Sequence, residues 1–292
     1  MLQVMGDTAF LNGAFVHRDE AKVSAWDRGF MFADAVYEVV RYYNGRALGM
    51  TAHLERLAHS LGEIDLVLPD DSPMLDAVSD ALVERNGEPD AAVYWQVTRG
   101  AAERDHRFPP PSTPPTVFVM SQPMPPLRVE GPPATMTAMT TPEIRWPRCG
   151  IKATALLPNV LARQEADEAG CDEALFVRPD GSVAEGTARS VFMVADGRLR
   201  THPLDGTILG SITRRLVLDF AAQLGIDVDE TPFAVHELYD ADELIAAGTT
   251  TEIKPIVSVD GKAIEHGEVG PVTRRLVDAY RMHVVETCGV TA

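Results

Sequence analysis

Lys152 sits in CGIKATALLPNVLARQEA, Cys149 to Ala166, where no other charged residue occurs before Arg163. An ammonium among apolar and small residues has two uses. Its stem can lie along apolar surface while the charge reaches water, or its free amine can attack an aldehyde to form a Schiff base. A free lysine titrates near ~10.4, so the second use requires low polarity or neighbouring cations. Other stretches suit an anion. LGSITRR, Leu209 to Arg215, puts Gly210 and Ser211 before a helix, where unpaired amides and the positive dipole end favour phosphate; the serine equally serves as an ordinary cap. AGTTTE, Ala247 to Glu252, offers three hydroxyls, and Arg56 in HLERL offers a cation or a solvated helix charge. Glu185 in VAEGT is either a turn carboxylate or a partner for a protonated ring nitrogen. Arg104 and His106 in RDH are two apart, so on an extended segment they face the same way, and the arginine fork matches a carboxylate.

The elements that must position these residues read as follows. Phe10 to Val16 around Asn12-Gly13, and Ala35 to Met50 around Asn44-Gly45, carry the two-residue hairpin signal. Thr51 is expected to cap a helix with Leu54, Leu57, Ala58 and Leu61 on its apolar face, and a second helix follows Ser72-Pro73. Residues 91–98, 116–121 and 134–140 are strand-like. The segment SQPMPPLRVEGPP concentrates proline and glycine in the manner of a connection, which divides the chain into 1–121, a linker 122–133, and 134–292. Beyond it lie hairpins around Asp180-Gly181 and Asp196-Gly197, a helix after Ser211 with Ile212, Leu216, Phe220 and Leu224 on one face, strands at 244–247 and 252–259, and a closing helix from Val272 to His283. Strands and helices mix without regular alternation, which predicts two α+β domains with mixed or antiparallel sheets.

Composition excludes several functions. The 292 residues carry a formal charge of −17, which repels nucleic acid and anionic membranes. No run of eighteen apolar residues occurs, and Met1 to Gly13 lacks the basic start and apolar core of a leader; a cytoplasmic location is the expectation. Three cysteines without ligand spacing suggest neither a disulfide framework nor a zinc site. Eight scattered histidines argue against a metal centre, and GxSxG, GxxxxGK[ST] and HExxH are missing.

Taken in order, DRGFMFADAVYEVV from Asp27, HLERL from His53, VTRGAAERDHRFP from Val97, IRWPRCGIK from Ile144, LLPNVLARQEA from Leu156, EGTARSVF from Glu185, THPLDGTILGSITR from Thr201 and TTTEIKPI from Thr249 resemble the class IV aminotransferases, which use pyridoxal 5′-phosphate (PLP). Within that family the chain is most similar to the D-amino acid aminotransferases, chiefly through RDH. The resemblance implies the fold type IV architecture, with a small N-terminal α/β domain and a larger C-terminal PLP-binding domain. It implies that Lys152 is the Schiff-base lysine and proton shuttle, and that Glu185 holds the pyridine nitrogen protonated. Arg56, Ile212, Thr213 and Thr249 match phosphate-binding positions, and Leu209 matches the residue packed on the ring. Tyr37, Arg104 and His106 match the group that engages the substrate carboxylate. In the family the last two come from the neighbouring subunit, so a homodimer with shared sites is implied.

The implied reaction moves an amino group from a D-amino acid, of the D-alanine or D-glutamate type, to a 2-oxo acid such as 2-oxoglutarate or pyruvate. An (R)-selective amine or branched-chain L-amino acid aminotransferase and an aminodeoxychorismate lyase share the fold; a non-catalytic acidic interaction protein is the rival of another class. Three positions depart from the family pattern: Ala33 stands where glycine is usual, Gly248 replaces a hydroxyl residue, and Arg189 replaces a small polar one. The expectation for Arg189 is either a second carboxylate clamp or a charge in solvent.

Overall fold

Asn12-Gly13 and Asn44-Gly45 reverse the chain with all four residues at positive φ, from 47° to 94°, the backbone that two-residue hairpins demand. The computed structural model describes residues 6–70 and 72–291; Met1 to Met5, where the segment read as lacking a leader begins, lie outside them. Its contacts divide the chain into two compact units. The first comprises residues 6–127, Ile151–Ala155 and Val284–Thr291, and the second Arg128–Gly150 and Leu156–His283. No helix of the described residues is long and apolar enough to cross a membrane.

The first unit contains β1 (Thr8–Leu11), β2 (Ala14–His17), α1 (Arg28–Phe32), β3 (Ala35–Tyr43), β4 (Arg46–Ala47), α2 (Met50–Glu63), α3 (Leu75–Asn86), β5 (Ala91–Thr98) and β6 (Thr116–Pro123). The strands form one sheet in the order β2-β1-β6-β5-β3-β4, antiparallel throughout. Val36, Val40, Val93, Trp95, Val97 and Val119 are buried in one core with Leu57 and Leu61 of α2 and Val78 and Leu82 of α3. Strand alternation turns Tyr37, Tyr94 and Gln96 to the opposite face, where each is half-buried.

Two expectations about α2 are corrected. Its N-cap is Gly49, in the left-handed region at φ 70°, with no side-chain cap, so Thr51 lies inside the helix. Ala58 is exposed, and the buried stripe runs through Ala52, His53, Leu57, Ser60 and Leu61. A polar cluster around His53, described below, turns the helix toward the sheet on that line. The second helix does follow Ser72-Pro73: α3 starts at Leu75 with Met74 as its N-cap, so Pro73 lies just ahead of the cap. Ala33 caps α1 at φ 54°, where a Cβ costs roughly 1–2 kcal/mol; glycine would suit this turn better.

The second unit contains β7 (Met136–Pro142), α4 (Leu157–Glu168), β8 (Glu173–Val177), β9 (Val183–Gly186), β10 (Ser190–Ala195), β11 (Arg198–Thr201), α5 (Ile212–Gln223), β12 (Val228–Asp229), β13 (Glu243–Gly248), β14 (Glu252–Val259), β15 (Lys262–Ala263) and α6 (Pro271–Cys288), whose residues from Val284 group with the first unit. Its nine-stranded sheet runs β12-β11-β10-β13-β14-β7-β8-β9, with β15 on β14. It is mixed because β7 lies parallel to both β14 and β8. The buried face of α5 centres on Thr213, Val217, Phe220 and Ala221, one position round from the stripe read through Ile212 and Leu216, which are half-buried.

Candidate functional site

Lys152 is drawn into the first unit by backbone pairing rather than by its side chain. Its carbonyl accepts from the Tyr37 amide at 2.9 Å, the Thr154 amide donates to Ala35 at 3.0 Å, and Ala153 bridges Val36. Its own amide donates to Ser60 Oγ of α2 at 3.2 Å. This extended segment therefore runs along the start of β3, and the half-buried Lys152 sets Nζ 4.1 Å from the centre of the Tyr37 ring. That ring stacks on Tyr94 at 5.6 Å. The amine is held against an aromatic wall by a segment fixed at several backbone points.

Glu38 points to the other face of β3 and meets α2. Arg56 grips it with two donors, Nε at 2.7 Å and Nη2 at 2.8 Å, and His53 Nδ1 lies 2.8 Å from the same carboxylate. The Glu38 side chain is fully buried. Burial works to raise its pKa, but Arg56 and His53 outweigh that and hold it at about 2. Burial lowers the pKa of His53, with Glu38 opposing. Arg56 is thus a positioned cation whose orientation is set from below by Glu38.

The Glu38 pKa is depressed on folding, so its contribution is complete above the ordinary carboxylate range and is lost as pH falls from about 4.5 toward 2. The full span is on the order of 3 kcal/mol. Urea midpoints followed by tryptophan fluorescence should fall over this range in the wild type, and Glu38→Gln should show a shallower fall. Parallel curves would refute this contribution.

Arg104 and His106 meet on one ring: the Arg104 guanidinium lies 5.3 Å from the Phe32 centroid, and the His106 ring 5.5 Å from it. Both residues are exposed. Arg28, buried at the start of α1, shapes their loop by donating to the Asp105 and Arg107 carbonyls at 2.6 and 3.2 Å. Asp34 in turn binds Arg28 Nε at 2.7 Å and Arg99 Nε at 2.9 Å. The pair read from RDH is therefore brought together on a loop tied to the buried arginine.

In the second unit Glu185 lies within β9, not in a turn. Arg145 Nη1 donates to it at 2.6 Å, and the Leu209 amide approaches both its oxygens at 3.3 and 3.4 Å. Burial pushes its pKa up, with Arg145 and the Leu209 amide opposing. Arg145 is itself fixed by two bonds to Glu143, at 2.9 and 2.6 Å, and stacks on Phe176 at 4.3 Å. Leu209 is thus coupled to Glu185 through its backbone. Ser211 caps α5 by accepting from the Arg214 amide at 3.2 Å, so Ile212 and Thr213 occupy the first turn, whose amides the helix itself cannot satisfy. Thr249 is half-buried in the turn between β13 and β14.

Arg189 corrects an expectation. It is neither a clamp with a free head nor a charge in solvent: Nη1 donates to the buried Glu173 and Nε donates to Thr251 Oγ1 at 2.6 Å. Sequence reasoning also passed over Arg145, Glu38, His53, Arg28 and Asp34 as supports. Each lies inside a quoted motif, but residue type alone does not reveal their partners, which range from two residues away, as for Arg145 and Glu143, to forty, as for Arg145 and Glu185.

Comparison with known proteins places these features in context. The family model described as "Amino-transferase class IV" matches residues 35–259. A D-alanine aminotransferase of Staphylococcus aureus (strain N315) is 39% identical over 277 residues, covering 94% of this chain and 97% of that protein. A D-alanine aminotransferase of Listeria innocua serovar 6a is 38% identical over 284 residues, 96% of each. Among solved structures, the branched-chain aminotransferase from Thermoproteus uzoniensis with norvaline is similar with a TM-score of 0.82 and 29% identity, covering 97% of this chain and 96% of that one.

Proposed function

The chain belongs to the class IV aminotransferases, and from that premise we propose that it is a PLP-dependent D-amino acid transaminase acting with a 2-oxo acid acceptor. The donor set fits the coenzyme. A half-buried primary amine suits the aldehyde, a buried carboxylate suits the ring nitrogen, and a guanidinium, first-turn amides and a threonine hydroxyl suit the phosphate. In the first unit Lys152 and Arg56 take these roles, with Glu38 and His53 aiming the arginine. In the second, Glu185, Ile212, Thr213 and Thr249 take them, and Leu209 lies beside Glu185.

The observation that carries the D-amino acid reading is the seating of Arg104 and His106 on Phe32. A planar fork and an imidazole converge there on a loop that Arg28 holds, an arrangement suited to an α-carboxylate, with Tyr37 assigned to the same substrate. The relatives named D-alanine aminotransferases support the same choice at 38–39% identity, whereas the branched-chain structure supports the fold. When bound, the coenzyme supplies an aldehyde for the amine and a ring that accepts the electron pair of the broken Cα–H bond. Lys152 Nζ takes the Cα proton as general base and returns it as acid. Tyr37 walls the amine from solvent on one side. Glu185 is the carboxylate assigned to the protonated ring nitrogen, and Arg145 opposes the burial that raises its pKa.

Leu157, Val160 and Leu161 on α4 leave their side chains exposed, with Ile144 and Trp146 also exposed in the same unit. So much exposed apolar surface suits a partner, and a homodimer in which Arg104 and His106 serve the neighbouring site is part of the proposal. The three unpaired cysteines suit a reducing cytoplasm. The test is a half-reaction panel: the yellow PLP-loaded protein is mixed separately with D-alanine, D-glutamate, L-leucine and (R)-phenylethylamine. The two D-amino acids should discharge the colour fastest, and a protein discharged by L-leucine alone would overturn the assignment.

A further inference from the structure

We propose that Arg189 is a positioning residue that locks the Thr249–Thr251 turn in place for the coenzyme phosphate. The inference rests on the PLP reading above and concerns a residue that the reading leaves without a role. Arg189 lies in the connection from β9 to β10, with its side chain 22% exposed and ion-paired to a Glu173 that is fully buried on β8. Glu173 has no freedom to move. Its carboxylate also accepts from the Ala174 and Thr187 amides, both at 3.0 Å, and from the Thr187 hydroxyl. The far side of the guanidinium, at Nε, donates to Thr251 Oγ1 at 2.6 Å, and Thr251 is buried. One planar group therefore ties β8 to the turn between β13 and β14.

That turn is short. Gly248 pairs with Glu252, leaving three threonines in the loop, and Glu252 sits at φ 62°, as in three-residue hairpins that close with a left-handed residue. In so tight a loop, holding Thr251 also holds Thr249, the hydroxyl assigned to phosphate. Gly248 completes the arrangement: a Cβ there would stand 3.3 Å from the Ala188 carbonyl oxygen and 3.7 Å from Arg189 Cγ. The tight approach is to the Ala188 carbonyl, and a side chain at 248 would lie in ordinary contact with Arg189 and Thr251, so Gly248 leaves room beside the strut. With Nη1 and Nε committed to Glu173 and Thr251, the guanidinium acts through the turn rather than on the substrate.

Thr251→Val removes the acceptor while leaving the Arg189–Glu173 pair intact, and Thr251→Ser restores it. The apo-proteins are titrated with pyridoxamine 5′-phosphate, which needs no covalent link, and with pyridoxamine, which lacks the phosphate. Thr251→Val should weaken binding of the phosphorylated ligand about tenfold, as expected for losing one hydrogen bond to a charged group, and leave pyridoxamine affinity unchanged. Thr251→Ser should recover most of the loss, and kcat at saturating PLP should fall far less than affinity. The double variant Glu173→Gln with Arg189→Gln, which removes both charges together, should reproduce the phosphate-dependent loss. Unchanged affinity for pyridoxamine 5′-phosphate in both variants would overturn the inference. So would a rise in KM for D-glutamate with coenzyme affinity intact, which would make Arg189 a substrate group. A wild-type protein that bound neither PLP nor pyridoxamine 5′-phosphate would instead defeat the functional reading itself.

Discussion

Replacing Lys152 by alanine should reduce the single-turnover rate with D-alanine by at least about 10³-fold, because a positioned general acid–base contributes about 10²–10⁴ on its own and the same amine is assigned the covalent role. The structure explains why the loss should be clean. The contacts that fix this segment come from main-chain atoms: the Tyr37 amide to the Lys152 carbonyl, the Lys152 amide to Ser60, and the Thr154 amide to Ala35. They survive removal of the side chain. What disappears is an ammonium over Tyr37, a contact worth about 0.5–1 kcal/mol at a partly exposed site. Thermal melting of the apo-protein should therefore shift little while turnover collapses, and an added small primary amine should restore part of the proton transfer. A variant that turned over D-alanine at the wild-type rate would remove Lys152 from the chemistry. A variant that lost activity in proportion to lost fold would leave it a structural lysine.

Legibility in the sequence followed the range of the interaction that decides each feature. The Asn-Gly hairpins were readable because two adjacent residues determine their backbone, and both turns adopt it. The strand at Ala91–Thr98 was readable because Val, Thr and aromatic residues concentrate there, and the structure packs its Val93, Trp95 and Val97 into one core. Thr51 misled because side-chain capping competes with the left-handed Gly49, which ends the β4 connection and starts α2 two residues earlier. Lys152 could be singled out from its neighbours, but its attachment to the first unit depends on pairing with β3 across more than a hundred residues of chain. Glu185 read equally as a turn carboxylate or a partner for a ring nitrogen because Gly186 follows it; it lies within a strand whose last glycine approaches Glu173, where a Cβ at Gly186 would stand 3.0 Å from Glu173 Cδ. The supports were least visible. Nothing local to Arg145 announces that it bridges Glu143 and Glu185, nor does anything local to Glu38 predict two partners on α2. Charged residues become informative once the sheet has placed them.

Glu185→Gln separates binding from catalysis more sharply than any other single change. Glutamine keeps the shape and can still accept from the Leu209 amide, and Arg145 is not stranded, because Glu143 holds it with two bonds. The fold should therefore tolerate the loss of charge. A neutral amide cannot keep a ring nitrogen protonated as a carboxylate can, and the difference is largest when negative charge develops in the ring, so the substitution should act on the transition state more than on the ground state. Loss of one preorganised electrostatic partner typically costs about 10²–10³ in rate, and that is the expected fall in Cα proton removal by Lys152. Coenzyme affinity should change by less than about tenfold, since the phosphate contacts and the amine are untouched. With Cα-deuterated D-alanine, the isotope effect on the half-reaction should grow in the variant as proton transfer becomes fully limiting. Equal losses in affinity and rate, with an unaltered isotope effect, would mean that Glu185 serves only to anchor the β9 end and Arg145, and the assignment to the ring nitrogen would fail.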